Sequence, residues 1–440
     1  MTFDDLNLSK PLWNALADLE YIYPTAIQAE AFPVVMSGAD VVGVAQTGTG
    51  KTFAYLLPLL RQLPYSEQRN PRVLIIVPTR ELVVQVVAEI EKLTKYISLR
   101  MMGVYGGVNM STQKQGIHQG LDIIVGTPGR VYDLAMTGIL RFKSIQKLVV
   151  DEVDEMLNLG FRPQLEAIME TLPPRRQNLL FSATLTEDVD KIINEHFDAP
   201  QKIIVAPHGT PLEQIKLIGY HVPNYHTKIN LLKEILKDNE EFQKVLVFVD
   251  SKKLADKLFE SINTSSDGEV GVIHSNKAQN TRLKTVERFQ KGEMRVLVAT
   301  DIIARGLDFR EISHVINFDM PGAPADFIHR VGRTGRAGEA GVALAFINEP
   351  EQEIQAEVES LMKKEIEIYD IPESVEISKI FTPEERPKLY DKNYLGTPGK
   401  LSGGGAFHEK KAKNLQRNSG SPALKRPKKK KGQKRSGKKN

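Results

Sequence analysis

A chain of 440 residues with 41% hydrophobic and 26% charged side chains is long enough for two or three ordinary globular domains. It contains no cysteine, which excludes disulfides, iron–sulfur clusters and thiolate zinc sites, and no apolar run approaches the ~18 residues of a membrane span. The net charge of +4 is uneven: residues 406–440 hold 14 Lys/Arg against the single acid Glu409, a net +13, which leaves 45 bases and 54 acids, or −9, in residues 1–405. An acidic body carrying a strongly basic tail points to a polyanionic partner.

The opening Met-Thr-Phe-Asp-Asp-Leu is acidic and lacks an apolar signal core, so a soluble cytoplasmic chain is expected, away from any membrane. Over residues 1–205 short β-rich runs alternate with helical patterns, which predicts an α/β domain with a parallel sheet covered by helices. The candidate strands are Val41–Val44, Val73–Val77, Ile123–Val125, Leu148–Val150, Leu179–Phe181 and Ile203–Val205. Each of the first five runs into a polar cluster, and ligands of open α/β sheets bind at the carboxyl ends of strands.

The first cluster, Ala45-Gln46-Thr47-Gly48-Thr49-Gly50-Lys51-Thr52, leads into the helical pattern Phe53–Leu60. Strand, glycine-rich turn, Lys-Thr and helix are the context of a phosphate-binding loop. Gly48 and Gly50 let backbone N–H groups curl inward, Lys51 can reach the β/γ-phosphates, and the Thr52 hydroxyl can ligate Mg²⁺. Ala45 stands where the generic loop has glycine, and the competing reading is a Gly/Thr-rich loop with a chance Gly-Lys-Thr. After Leu148–Val150 come Asp151 and Glu152. One carboxylate can hold Mg²⁺ and the other can deprotonate an attacking water; in isolation the pair reads as a solvated turn.

Residues 206–213 read as a linker, and residues 214–371 repeat the alternation with strands at Val245–Val249, Val270–Ile273, Val296–Val298, Val315–Phe318 and Val342–Phe346. This half has no second Gly-Lys-Thr loop, so two like-built domains share one nucleotide site. It does hold Arg330, Arg333 and Arg336 at i, i+3 and i+6, an array suited to phosphoryl charge or, alternatively, to nucleic acid alone. Periodicity fades over an extension at 372–401, and the Gly-, Lys- and Ser-rich 402–440 is expected to be a disordered tail.

Taken together, Ala-Gln-Thr-Gly-Thr-Gly-Lys-Thr (45–52), Pro-Thr-Arg-Glu-Leu (78–82), Gly106-Gly107, Thr-Pro-Gly-Arg (127–130), Asp-Glu-Val-Asp (151–154), Ser-Ala-Thr (182–184), Ala-Thr-Asp-Ile-Ile-Ala-Arg-Gly-Leu-Asp (299–308) and His-Arg-Val-Gly-Arg-Thr-Gly-Arg (329–336) stand in the order of the DEAD-box RNA helicases. The chain resembles that family from Phe3 to about Phe346, with the bacterial RhlE-like members with basic tails as the nearest subgroup.

The resemblance implies two tandem RecA-like domains, ATP and Mg²⁺ as cofactors, and RNA as the partner. It implies that Tyr21, Thr25 and Gln28 read adenine, with Phe3 as the upstream aromatic; that residues 45–52 bind phosphate; that Asp151 and Thr52 hold the metal; and that Glu152 is the base. Ser182 and Thr184 would couple hydrolysis to unwinding, Asp308 would contact ribose, and Arg333 and Arg336 would be arginine fingers. RNA contacts would fall to Pro78, Thr79, Arg80, Gly106, Gly107, Thr127, Arg130, Gln279, Arg282 and Thr300. On residues alone, Gln279 and Arg282 read equally well as a surface helix cap. Two departures stand out: Val153 where the family has Ala, and Glu20 where glycine precedes the aromatic. The basic tail 406–440 is expected to bind RNA, with ribosome or RNA-decay assemblies as further partners. An RNA clamp and a double-stranded DNA translocase are the competing functions; Pro78–Leu82 and Gln28 argue against the second.

Overall fold

A computed structural model of the protein describes residues 1–45, 48–205, 215–263, 269–301, 311–335, 341–382 and 385. The linker 206–213, part of the extension (383–384 and 386–401) and the tail 402–440 lie outside the described residues. Residues Met1–Arg386 form one compact unit that contains two seven-stranded sheets.

The first sheet comprises Val41–Val44 (β1), Val73–Ile76 (β2), Met101–Val104 (β3), Ile123–Gly126 (β4), Lys147–Asp151 (β5), Gln177–Ser182 (β6) and Gln201–Ile204 (β7). The second comprises Ile215–His221 (β8), Val245–Phe248 (β9), Val270–Ile273 (β10), Val296–Ala299 (β11), His314–Asn317 (β12), Gly341–Ile347 (β13) and Glu367–Tyr369 (β14). Their orders are β3-β4-β2-β5-β6-β1-β7 and β10-β11-β9-β12-β13-β8-β14, the same arrangement strand for strand. The strand pairs are parallel in both sheets. In the second sheet the place of β1 is taken by β8, which is followed by Val222-Pro223-Asn224 and the helix Tyr225–Ile235 instead of a Gly-Lys-Thr turn.

Parallel strands buried on both faces need apolar residues at every position. In β2, Val73 and Ile75 enter one core and Leu74 and Ile76 the other, so alternate side chains feed helical layers on opposite faces. β3, β8 and β14 are among the strands that lack that continuous signal. β3 is a sheet edge with two methionines and a glycine, β8 alternates Lys216, Gly219 and Tyr220 with apolar residues, and β14 is three residues at the opposite edge.

The chain just beyond Pro372 is held by polar contacts, which a hydrophobic period does not report. Asn224 Nδ2 donates to the Ser378 carbonyl at 2.6 Å, the Ser378 N–H donates to Thr227 Oγ1 at 3.0 Å, and Asn230 Nδ2 donates to the Glu376 carbonyl at 2.8 Å. Val375 is buried in the core of the second lobe.

One glycine is fixed by close approach. Gly43 on β1 pairs with Phe181 on β6, and a Cβ at Gly43 would stand 2.5 Å from the Phe181 ring. That ring in turn packs on Tyr55, centroids 5.3 Å apart. Gly43→Ala is therefore expected to destabilise the first lobe by about 1–3 kcal/mol through overpacking. Denaturant unfolding checks this, and an unchanged midpoint would mean that the Phe181 ring can move aside.

Candidate functional site

The loops after β1, β5 and β6 meet because those strands are neighbours: Val44 stands beside Ser182, and Asp151 beside Phe181. After β1 the chain turns through Gly48 (φ +82°) and Gly50 (φ +87°) into the helix Lys51–Arg61, with Thr49 half-buried between them. Ala45 is buried, and its N–H donates to the Ser182 carbonyl at 3.1 Å. Gln46 and Thr47 lie outside the described residues.

Lys51 is 6% exposed, and among the described residues neither its ammonium nor the buried Asp151 Oδ1 has a hydrogen-bond partner. Buried charges left unpaired cost several kcal/mol unless a ligand completes them. An ammonium and a carboxylate oxygen both left open above a glycine turn suit a phosphate-bearing ligand with a divalent cation.

Burial pushes the Asp151 carboxyl up, against the opposing pull of Lys51 and of the Tyr55 hydroxyl, which donates to Oδ2 at 3.0 Å. Glu152 begins the helix Val153–Asn158 in the left-handed conformation (φ +55°), one of few non-glycine residues so placed. Backbone strain of this kind collects at functional sites. Burial pushes its carboxyl from 4.5 to about 7; Asp151 and Asp154 add to the rise, while Lys51 and Arg333 oppose it. Val153, at the start of the helix that follows β5, is fully buried in the core.

Asp154, to which no role fell from the sequence, links β5 to the turn after β6. Its Oδ2 accepts from the Ala183 N–H (3.1 Å), the Thr184 N–H (3.0 Å) and Thr184 Oγ1 (3.0 Å), while Ser182 Oγ donates to the Thr184 carbonyl (2.7 Å). Asp154 and Tyr55 were legible only as motif filler and as a helix residue.

From the second lobe comes Arg333, 3% exposed, whose charge acts on Glu152. Arg330 does not join it, which corrects the expectation of three arginines in one array. Arg330 is spent inside its own lobe: Nε donates to Asp301 Oδ1 (2.6 Å), Nη2 to Oδ2 (2.7 Å) and Nη1 to the Asp319 carbonyl (2.6 Å), with the guanidinium over Phe248. Spacing of i, i+3 put the two arginines on one helix face, but the helix ends at Val331, so they part. Arg336 and Asp308 lie outside the described residues.

Beside the phosphate loop, Thr25 and Gln28 form a capping box at the start of the helix Ala26–Ser37, where Gln28 Oε1 accepts from the Thr25 N–H at 3.0 Å. Gln28 Nε2 donates to the Gly50 carbonyl at 3.1 Å, tying this helix to the loop. Tyr21 stands edge-on to Phe53, centroids 5.6 Å apart. Glu20 takes the left-handed conformation (φ +58°) that glycine usually supplies, so the turn forms without it. Phe3 is buried in the core, its N–H bonded to the Ile22 carbonyl at 3.1 Å; this placement braces the Tyr21 turn from beneath.

The loops after β2, β4 and β3 form a second concave surface. A pocket of ≈ 430 Å³ is lined by Pro78, Thr79, Arg80, Gly106, Thr127, Arg130 and Arg282, with Glu81, Asp133, Leu159 and Phe161 among its other walls. Arg80 lies over Gly107, where a Cβ would meet its guanidinium at 2.2 Å. Burial, followed by repulsion from Arg282 and then Arg130, lowers the Arg80 pKa against the opposing pull of Glu81. Gln113, absent from the expected set, holds Arg130: its Oε1 accepts from Arg130 Nη1 at 2.8 Å while its Nε2 donates to the Tyr105 carbonyl at 3.2 Å. Thr300 is buried just after β11 and is not among the residues that line this pocket.

Gln279 and Arg282 are not a surface cap. Arg282 is 4% exposed and bonds Glu81 on the helix Arg80–Leu93, and Gln279 Nε2 donates to the same Glu81 oxygen at 3.1 Å. Glu81 thereby joins the two lobes beside the arginine pocket.

Two parallel-sheet lobes with one phosphate loop, a carboxylate pair, an arginine supplied across from the other lobe and a cationic groove define a two-lobed P-loop enzyme that acts on nucleic acid. Residues 25–192 match the family described as DEAD/DEAH box helicase, and residues 227–338 match the helicase conserved C-terminal domain. The chain is 38% identical over 389 residues to the RNA helicase CrhR of Synechocystis sp., covering 88% of this chain and 78% of that one. It is 38% identical over 374 residues to the ATP-dependent RNA helicase RhlB of Pseudomonas putida, covering 83% and 93%. The structure of S. cerevisiae Dbp5 bound to RNA and ADP BeF3 superimposes with a TM-score of 0.76 at 27% identity, over 84% of this chain and 95% of that one. The chain belongs to the DEAD-box family of ATP-dependent RNA helicases, and its two sheets are the tandem RecA-like lobes of that family.

The raised Glu152 pKa has a consequence for stability. A carboxyl whose pKa rises on folding favours the folded state below its unfolded pKa, and that advantage is lost as pH climbs from 4.5 through about 7. Glu152→Gln removes this titration. In nucleotide-free protein with EDTA, the variant should gain stability over wild type between pH 5 and pH 8, by on the order of 3 kcal/mol in the first lobe. Thermal unfolding at the two pH values checks this; a pH-independent difference would show that Glu152 titrates normally.

Proposed function

We propose that this chain hydrolyses ATP in the cleft between its lobes and uses the closure to hold single-stranded RNA and separate short duplexes. The observation that carries the reading is the open Lys51–Asp151 pair on the sheet that also bears the arginine pocket, with Glu81 joining that pocket to the second lobe. Tyr21 stacks on adenine and Gln28 pairs with its edge, so the Gln28–Gly50 bond carries base recognition to the phosphate loop. The backbone turn at Gly48–Gly50 and Lys51 hold the β- and γ-phosphates.

Among the described residues no group of three or more His, Cys, Asp or Glu is placed to hold a metal alone. Thr52 and Asp151 would instead share Mg²⁺ with the phosphates, where the ion supplies charge neutralisation of the β/γ bridge. Glu152 accepts the proton of the attacking water, as a carboxyl tuned to about 7 is suited to do. Arg333 and Arg336 meet charge on the γ-phosphate, Asp308 the ribose. Ser182 and Thr184, held by Asp154, pass the state of Asp151–Glu152 along β6. Pro78, Thr79, Arg80, Gly106, Gly107, Thr127, Arg130, Gln279, Arg282 and Thr300 form the sugar–phosphate track.

Among the described residues no helix is long and apolar enough to cross a membrane. We place the protein in the cytoplasm, in keeping with its lack of cysteine. The RhlE-like grouping and partners in ribosome or RNA-decay assemblies are proposals that rest on the basic tail.

ATP turnover measured with RNA, with DNA and with neither is the direct test: stimulation by RNA alone is expected, and equal stimulation by DNA would favour a DNA translocase. In the same assay Lys51→Ala should abolish turnover, and Arg333→Ala should lower kcat about 10³-fold with little change in ATP affinity. Loss of RNA affinity with kcat intact would make Arg333 part of a nucleic-acid patch.

The tail extends the RNA surface. With +13 on residues 406–440 against −9 elsewhere, encounter and retention lean on the tail. If about eight of its charges meet phosphates, RNA affinity should fall roughly 10³-fold or more between 50 and 200 mM salt. Deleting residues 406–440 should flatten that slope and leave turnover at saturating RNA nearly unchanged. Equal slopes for the two proteins would remove the tail from RNA binding.

A further inference from the structure

Tyr55 stands outside every motif that marks this chain, yet it touches the reactive centre more closely than several motif residues do. It lies one helical turn after Thr52, on the same face of the helix Lys51–Arg61, and is fully buried. Its hydroxyl donates to Asp151 Oδ2 at 3.0 Å. The other Asp151 oxygen, Oδ1, is buried and has no hydrogen-bond partner among the described residues. The ring is held by Phe181, itself seated in the space left by Gly43. Core packing accounts for an aromatic ring at this position; it does not account for a hydroxyl, which a phenylalanine would omit without loss of volume.

We infer that Tyr55 is a positioning residue for the divalent cation: its hydroxyl occupies Oδ2 of Asp151, so that Oδ1 faces the ion. This rests on the reading of Thr52 and Asp151 as the Mg²⁺-holding pair. The hydroxyl acts through neighbours and never meets the nucleotide. Without the hydroxyl, the Asp151 carboxylate can rotate and presents either oxygen.

The test uses full-length protein and the binding of a fluorescent ATP analogue, titrated with Mg²⁺ and repeated in EDTA. Tyr55→Phe keeps the ring and should unfold at nearly the wild-type temperature. It should need about tenfold more Mg²⁺ for half-maximal tightening of nucleotide binding, the effect of one hydrogen bond to a charged group. Affinity in EDTA and affinity for RNA should match wild type. The inference is overturned by an unchanged Mg²⁺ midpoint, and equally by an affinity loss of the same size with and without Mg²⁺, which would show a general loosening of the phosphate loop. A wild-type protein whose nucleotide binding ignores Mg²⁺ would overturn the metal reading itself, and this inference with it.

Discussion

The fold is built to keep one ammonium and two carboxylates together in a place that water reaches poorly. Lys51 opens a helix at the end of β1, Asp151 closes β5, and Glu152 follows in a strained turn, with β6 between the two strands. In water such a trio would screen itself. Here burial lifts both carboxyls, and the opposing Lys51 charge holds them back. Sheet order, the Gly43–Phe181 contact and the Tyr55 and Asp154 bonds all act to hold these groups at fixed separations. The lobe that lacks a phosphate loop contributes the charge of Arg333 from the far side.

The first sheet divides its labour by position. Its β5-β6-β1 side carries Lys51, Asp151 and Glu152, and its β3-β4-β2 side carries the arginine pocket. β2 and β5 are adjacent strands, so the two surfaces share a boundary and no long relay is needed between them. The second sheet repeats the strand order but ends its β1 equivalent, β8, in Val-Pro-Asn. The same strand order thus carries a Gly-Lys-Thr turn in one lobe and none at the equivalent place in the other.

Much of this was legible in the sequence. Buried parallel strands such as Val73–Ile76 announce themselves as apolar runs, and the loop at 45–52, the Asp151–Glu152 pair and the arginine-bearing turns carry residue types that ordinary loops rarely combine. What stayed hidden was held by polar or positional means. β3, β8 and β14 lie at edges or alternate polar residues, and the stretch 372–382 is fastened by Asn224, Thr227 and Asn230. Arg330 and Arg333 are of one type and close in sequence, yet one is folded inward on Asp301 and the other faces the cleft. Only the helix end between them separates the roles. Glu81, Gln113, Asp154 and Tyr55 act through other residues, and no local pattern reports a partner that is distant in the chain.

The joint at Glu81 and Arg282 governs how reversibly the lobes meet. Both side chains are almost wholly buried, and their attraction comes at the expense of hydration. When such a pair parts, water returns to each charge and recovers most of what the contact supplied. The joint is therefore a poor glue and a good register pin: it rewards one alignment of the lobes, since a misaligned approach would strand a dry charge, but it adds little to the depth of the closed well. A cycle that must release its product as readily as it grips its substrate is served by a joint of that kind, selective on entry and nearly neutral on exit.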